Sequence, residues 1–183
     1  YDVHPPAGLL AAGAEILIGI SASPFRRGTL AQRLYHMRRP HCPLVYVNLV
    51  GGNDDLLFDG NSLALGRSGN VIAQGRSFAE DFLVIDTASG EDMGYREGES
   101  LENLFQALVM GTRDYAHKCG FKSAVLGLSG GIDSAVTAAI AVEALGPENV
   151  QCVTMPSRFN SPETIADSKL VADNLGCPLL AIP

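Results

Sequence analysis

The 183 residues carry 13 Lys and Arg against 20 Asp and Glu, a net charge of −7, which removes any global electrostatic case for a nucleic-acid backbone or an anionic membrane as partner. Hydrophobic residues make up 46% and charged residues 18%, which excludes a disordered or collagen-like chain. No run approaches the ~18 apolar residues of a membrane span, and the N-terminus lacks the basic and apolar regions of a signal peptide. The four cysteines, Cys42, Cys119, Cys152 and Cys177, form no CxxC pair and read as buried free thiols of a reducing compartment, so a cytoplasmic location is expected. His4, His36, His41 and His117 show no metal-ligand spacing and receive no role.

In chain order, a helix precedes a first strand at 15–20, and a second helix over Thr29–Met37 leads to a strand at 44–50. Strands follow at 62–65, 71–74 and 82–85, with Arg67-Ser68-Gly69-Asn70 as a hairpin turn. From 87 to 99 the chain turns to Ser, Gly, Glu and Asp, the composition of a solvated linker between a first domain (1–86) and a second (100–183). Ser100 then reads as an N-cap, and Leu101, Leu104, Phe105, Leu108 and Val109 recur at helical spacing up to a stop at Gly120. Beyond it, a strand at 123–128, a helix at 133–145, a strand at 150–155, a helix capped by Ser161-Pro162 and an apolar run at 178–182 alternate as βαβαβ. Strands apolar on both faces with helices between them predict a doubly wound parallel sheet, whose ligands bind at the carboxyl ends of strands. The chain opens on Tyr1 and stops at Pro183 directly after an apolar run, which predicts a piece of a longer protein.

Chemistry concentrates in Gly127-Leu128-Ser129-Gly130-Gly131-Ile132-Asp133-Ser134, at one of these strand-to-helix junctions. Adjacent glycines let the backbone approach an anion and aim successive N–H groups at it, and a helix N-terminus adds about half a positive charge. Ser129 and Ser134 add hydroxyl donors for phosphate oxygens. A bare carboxylate at Asp133 repels phosphate unless it holds Mg2+, an ion commonly bound by one or two carboxylates together with phosphate oxygens. The alternative is that Asp133 caps the helix and the glycines only make a turn. The GxxxxGK[ST] pattern of the Walker loop is absent.

Ser129-Gly130-Gly131-Ile132-Asp133-Ser134 resembles the signature loop of the ATP pyrophosphatases, and the flanks Gly111-Thr112-Arg113-Asp114-Tyr115 and Met155-Pro156-Ser157-Arg158 resemble the glutamine-dependent NAD synthetase family. Ala22-Ser23-Pro24-Phe25, Tyr46-Val47-Asn48, Gly51-Gly52-Asn53-Asp54 and Phe58-Asp59-Gly60 are similar to that family's glutaminase domain. The resemblance implies the C-terminal part of a nitrilase-like α/β/β/α sandwich, followed by the first half of a doubly wound α/β sheet. It implies a ligase that adenylates deamido-NAD+ with ATP and Mg2+ and amidates it with ammonia from glutamine, acting as a homo-oligomer without nucleic acid or membrane. Two other readings stay open: another ATP-pyrophosphatase amidotransferase such as GMP synthetase, and a non-catalytic nucleotide-binding module.

The resemblance also assigns residues. Gly127 to Ser134 and Met155 meet ATP, with Asp133 on the metal; Met155 touches adenine or is a core methionine, and Arg158 meets a phosphate or is a surface residue. The family's Glu-Lys-Cys triad lies ahead of the Ser-Pro-Phe motif, so no catalytic triad is expected in this chain, and Cys42 is not its nucleophile. Glutamine is held by Ser23 and by the position six residues on. The family carries a cation there and this chain carries Thr29, which makes Arg26 and Arg27 the candidate replacements.

Overall fold

The structure is a computed structural model that describes residues 5–38, 42–88, 90–96, 98, 100–156 and 160–182. It divides into two compact units, 1–107 and 108–183.

In the first unit, helix α1 (Pro5–Ala11) precedes β1 (Leu17–Ser21), and α2 (Thr29–Met37) follows, with the bounds that its apolar spacing predicts. β2 (Leu44–Asn48) lies parallel to β1, with Leu17 opposite Leu44 and Ser21 opposite Asn48. The predicted strand at 44–50 breaks at Leu49, where the chain starts a hairpin of β3 (Val50–Asn53) and β4 (Leu56–Asp59). β5 (Leu63–Leu65) then adds antiparallel to β2, and β6 (Val71–Gln74) adds antiparallel to β5 across the expected turn, where Gly69 takes φ 79°. The sheet order is β1-β2-β5-β6. One face packs under α2 through Leu30, Leu34, Tyr46, Leu63, Leu65 and Val71. The other leaves Ile18 and Ile20 exposed at 66% and 85%.

Residues 82–85 form no strand; Phe82 is 88% exposed and only Ile85 packs inward, because the segment finds no backbone partner to make its apolar run a ladder. The connection after it is solvent-facing yet fastened along β6. Met93 N–H donates to the Val71 carbonyl, and Gln74 both donates to the Arg96 carbonyl and accepts from the Arg96 N–H.

α3 (Ser100–Lys118) contains the division between the units, at Ala107 and Leu108. It begins on Ser100 itself, whose hydroxyl accepts from Arg27 Nε at 3.0 Å. Of the five residues in its predicted stripe only Val109 is fully buried, and Leu101 is 76% exposed; Ala107, Met110 and Ala116 are buried instead. An apolar stripe states which face can be covered, not what arrives to cover it.

In the second unit, β7 (Ala124–Gly127), α4 (Ile132–Leu145), β8 (Val150–Thr154), α5 (Pro162–Leu175) and β9 (Leu179–Ala181) realise the βαβαβ pattern. All three strands are parallel in the order β7-β8-β9. Ser161 caps α5 by accepting the Thr164 N–H at 3.3 Å, and Gly176 ends it in the left-handed region at φ 69°. α4 and α5 cover one face of the sheet through Ala138, Ala141 and Ala172, packed on Leu128, Val150 and Cys152. Cys152 and Cys177 are buried 3.5 Å apart, and burial pushes the Cys152 thiol up to about 11, so it stays protonated at neutral pH. Cys119 is exposed. No helix among the described residues is long and apolar enough to cross a membrane.

Candidate functional site

β7 and β8 run parallel with Gly127 opposite Val153, so the segments leaving their carboxyl ends emerge side by side. Leu128, 2% exposed, extends the pairing by donating its N–H to the Val153 carbonyl at 2.8 Å. The chain then turns through Ser129, Gly130 and Gly131 into α4. Gly130 sits at φ 82°, and a Cβ there would lie 2.2 Å from the Thr164 carbonyl oxygen of α5. Only glycine fits that position. Gly131 is the N-cap of α4, at an ordinary φ of −83°, and it offers no side chain to the first-turn N–H groups.

The two serines fasten this turn. Ser134 Oγ donates to the Gly131 carbonyl at 2.9 Å and accepts from Ser129 N–H at 3.2 Å, while Ser129 Oγ accepts from Gly131 N–H at 3.3 Å and lies 3.1 Å from Ser134 Oγ. Their hydroxyls therefore shape the loop in addition to any bond they make to phosphate. Ser168, 1% exposed in α5, shares its hydroxyl hydrogen between the Leu128 and Thr164 carbonyls at 3.3 and 3.1 Å, anchoring the loop from below. Sequence reasoning passed over Ser168; the available signal was a small polar residue on the inward side of α5, four positions after Thr164.

Ile132 is exposed at the start of α4, and Asp133 follows it. The Asp133 carbonyl accepts from Thr137 Oγ1 at 2.8 Å, and its exposed carboxylate has no hydrogen-bond or ion-pair partner among the described residues. Among those residues no three His, Cys, Asp or Glu side chains gather into a metal cluster. Met155 lies one residue beyond β8 at the same edge as the loop and is 65% exposed among the described residues. Arg158 lies outside the described residues.

A second strand-to-helix loop leaves β1 for α2. Ser23 is half-buried there, its N–H donating to Asn48 Oδ1 at 2.9 Å. Asn48 Nδ2 donates to the carbonyls of Ser23 and Gly60 at 3.3 and 3.0 Å. Arg33, 6% exposed, reaches up from α2 and donates through Nε to Ser23 Oγ at 3.1 Å and through Nη2 to the Ser23 carbonyl at 2.8 Å. Its charge meets Asp59, 2% exposed, in a two-pronged pair at 2.8 and 3.0 Å, and Asn61 Nδ2 donates to the same carboxylate at 2.8 Å.

Thr29 opens α2, with its N–H donating to the Arg26 carbonyl at 3.0 Å. Neither candidate replacement cation touches Ser23: Arg27 turns to Ser100, and Arg26 is exposed. Cys42 is buried, with Sγ against the Pro43 carbonyl at 3.4 Å.

Residues 104–183 match the family model described as NAD synthase. Over its full length the chain is 46% identical to the glutamine-dependent NAD(+) synthetase of Synechocystis sp., covering 35% of that protein. The chain resembles part of a glutamine-dependent NAD(+) synthetase. The enzyme of that name from Rhodobacter capsulatus is 42% identical over 96% of this chain and 34% of its own length. The glutamine-dependent NAD+ synthetase of Acinetobacter baumannii, solved in complex with ADP, superposes with a TM-score of 0.87 at 36% identity, covering 96% of this chain and 35% of that one. The chain thus spans about a third of the length of the glutamine-dependent NAD(+) synthetases it matches. The family model covers the second unit and little of the first, whereas the Synechocystis, Rhodobacter and Acinetobacter matches run through both units, so the Ser23 loop and the Gly130-Gly131 loop fall within one similarity.

Proposed function

We propose that the full-length protein carrying this chain is a ligase that makes NAD+ from deamido-NAD+, ATP and glutamine. Residues 1–86 supply the C-terminal part of a nitrilase-like glutaminase domain, 87–99 a linker, and 100–183 the N-terminal part of the synthetase domain. The open apolar face bearing Ile18 and Ile20 suits half of a two-sheet sandwich. The assignment also carries a cytoplasmic location and a homo-oligomeric assembly.

The observation that carries the function is the loop at 129–134, whose backbone is forced by Gly130 and whose helix N-terminus is left without a side-chain cap. Its N–H groups bind the phosphates of ATP, and Met155 meets the adenine from the neighbouring strand end. The nicotinate carboxylate oxygen of deamido-NAD+ attacks the α-phosphorus, the bond from that phosphorus to the bridging oxygen breaks, and pyrophosphate leaves. Ammonia then adds to the acyl carbon, loses a proton and expels AMP. Asp133 fits Mg2+, because its carboxylate is exposed and unpartnered among the described residues beside the phosphate-binding N–H groups. When bound, the ion neutralises charge developing on the phosphates.

In the first unit Ser23 holds glutamine with its hydroxyl, beside Thr29. The triad that hydrolyses glutamine belongs to segments ahead of Ser23 in the family pattern. ATP–pyrophosphate exchange by the full-length protein is the test: exchange that requires deamido-NAD+ supports the assignment, and exchange driven by another acceptor such as xanthosine monophosphate refutes it.

A further inference from the structure

We propose that Arg33 is a positioning residue for glutamine, acting through the Ser23 hydroxyl. The proposal rests on the assignment of Ser23 to glutamine and adds to it the group that aims Ser23. Three of the four polar groups of Ser23 are already fixed. Its N–H is taken by Asn48, its carbonyl by Asn48 and Arg33, and its hydroxyl oxygen accepts from Arg33 Nε. The hydroxyl hydrogen has no acceptor among the described residues. A hydroxyl whose oxygen already accepts along one direction must send its hydrogen along another, so the guanidinium turns Ser23 from a rotor into an aimed donor. The group it suits is an acceptor such as the carboxylate of an amino acid.

Arg33 is not itself the anchor for that carboxylate. Its guanidinium is buried and its charge is matched by Asp59 in the two-pronged pair, with Asn61 holding the same carboxylate in place. Arginine suits this position because one planar fork serves Asp59 on one edge and Ser23 on the other, which a lysine ammonium does not reproduce. Asn48 locks the Ser23 backbone independently, so loss of the fork leaves the loop near its place while freeing the hydroxyl.

The test is a cycle in the full-length protein with Ser23→Ala, Arg33→Lys and their combination, following kcat and KM for glutamine. Arg33→Lys keeps a cation beside Asp59 and should raise the KM for glutamine at least fivefold while kcat falls far less. Combined with Ser23→Ala it should add nothing further, because both changes remove the same aimed hydrogen. Effects that multiply in the double variant, or a KM in Arg33→Lys equal to wild type while Ser23→Ala raises it, overturn the positioning role and leave Ser23 as a glutamine contact. A KM unmoved by Ser23→Ala overturns the glutamine assignment itself, and the inference with it. If Arg33→Lys does not fold, the charge-neutral pair Arg33→Gln with Asp59→Asn takes its place and should give the same rise in KM. Failure of both to fold makes Arg33 a purely structural residue and overturns the proposal.

Discussion

Two strand-to-helix loops, β1 to α2 and β7 to α4, each emerge beside a parallel neighbouring strand, yet they are made rigid in opposite ways. The Ser23 loop is held by buried side chains from elsewhere in the sequence: Arg33, Asn48 and Asp59. The Gly130-Gly131 loop is held by its own backbone against α5, and by two serines within six residues. A loop fixed by distant charges fails when one charge is lost, whereas a loop fixed by backbone shape fails when a methyl group is added. Each half of that contrast can be broken separately.

The largest effect is expected from Asp59→Ala. It strands the Arg33 guanidinium, 6% exposed, without its counter-charge, and breaking one side of a buried pair costs about 3–5 kcal/mol. Hydrogen exchange in the full-length protein should rise in β1, β2 and α2 and stay unchanged in β7 to β9. Equal loss of protection in both units would mean the network does more than hold the first.

The second effect is at Gly130. Alanine there combines a left-handed φ of 82° with a Cβ set 2.2 Å from the Thr164 carbonyl oxygen. The conformational term is about 1–2 kcal/mol and the overlap adds about 1–3 kcal/mol. ATP affinity should fall at least tenfold. Gly131→Ala makes the comparison sharp, because its Cβ meets nothing nearer than Ser129 Oγ at 3.4 Å, so affinity should change by less than threefold. If the two variants bind ATP alike, backbone shape is not what the loop depends on.

Third, Asp133→Asn keeps the helix start and removes one formal charge from a carboxylate with no partner among the described residues. As a magnesium ligand its loss should slow adenylation on the order of 10²-fold, with little change in glutamine hydrolysis. An unchanged rate of pyrophosphate exchange leaves Asp133 with no role beyond favouring the positive end of α4. Ser168→Ala comes next: it leaves the Leu128 carbonyl without its hydroxyl donor, a loss of about 1–2 kcal/mol, read as faster hydrogen exchange in β7 and α4.

How far each loop was legible follows from the same contrast. The second loop is written in adjacent residues, so Gly130, Gly131, Asp133 and Ser134 are found by reading along the chain, as are the turn signals Ser161-Pro162 and Gly176 that place α5 behind it. The first is not. Asn48 and Asp59 lie in motifs that the sequence picks out, but nothing along the chain pairs them with Arg33, which lies mid-helix, where arginine ordinarily faces solvent. Arg26 and Arg27 are nearer in sequence, yet Arg26 is exposed and Arg27 bonds Ser100, since distance along the chain says little about which side chain turns inward. The apolar runs at 82–85 and along α3 mislead for a related reason: hydrophobicity marks surface able to be buried, and burial needs a partner.

The smallest effect, and the one that probes Ser23 from the solvent side, is Thr29→Lys. Thr29 is the first residue of α2, half-buried, and restores no charge at the position where the resembling family places a cation. A lysine there meets the positive end of the helix dipole, an unfavourable term of about 0.3–1 kcal/mol. A charge-assisted bond to the substrate carboxylate returns about 1.5–3 kcal/mol. The balance favours the lysine, so the KM for glutamine should fall several-fold while ammonia-dependent synthesis stays level. Arg27→Ala, by contrast, loses only an exposed bond to Ser100 and should leave the KM within twofold. If Thr29→Lys instead abolishes glutamine use, the carboxylate does not approach α2 from this end, and Ser23 aims its hydrogen at a different part of the substrate.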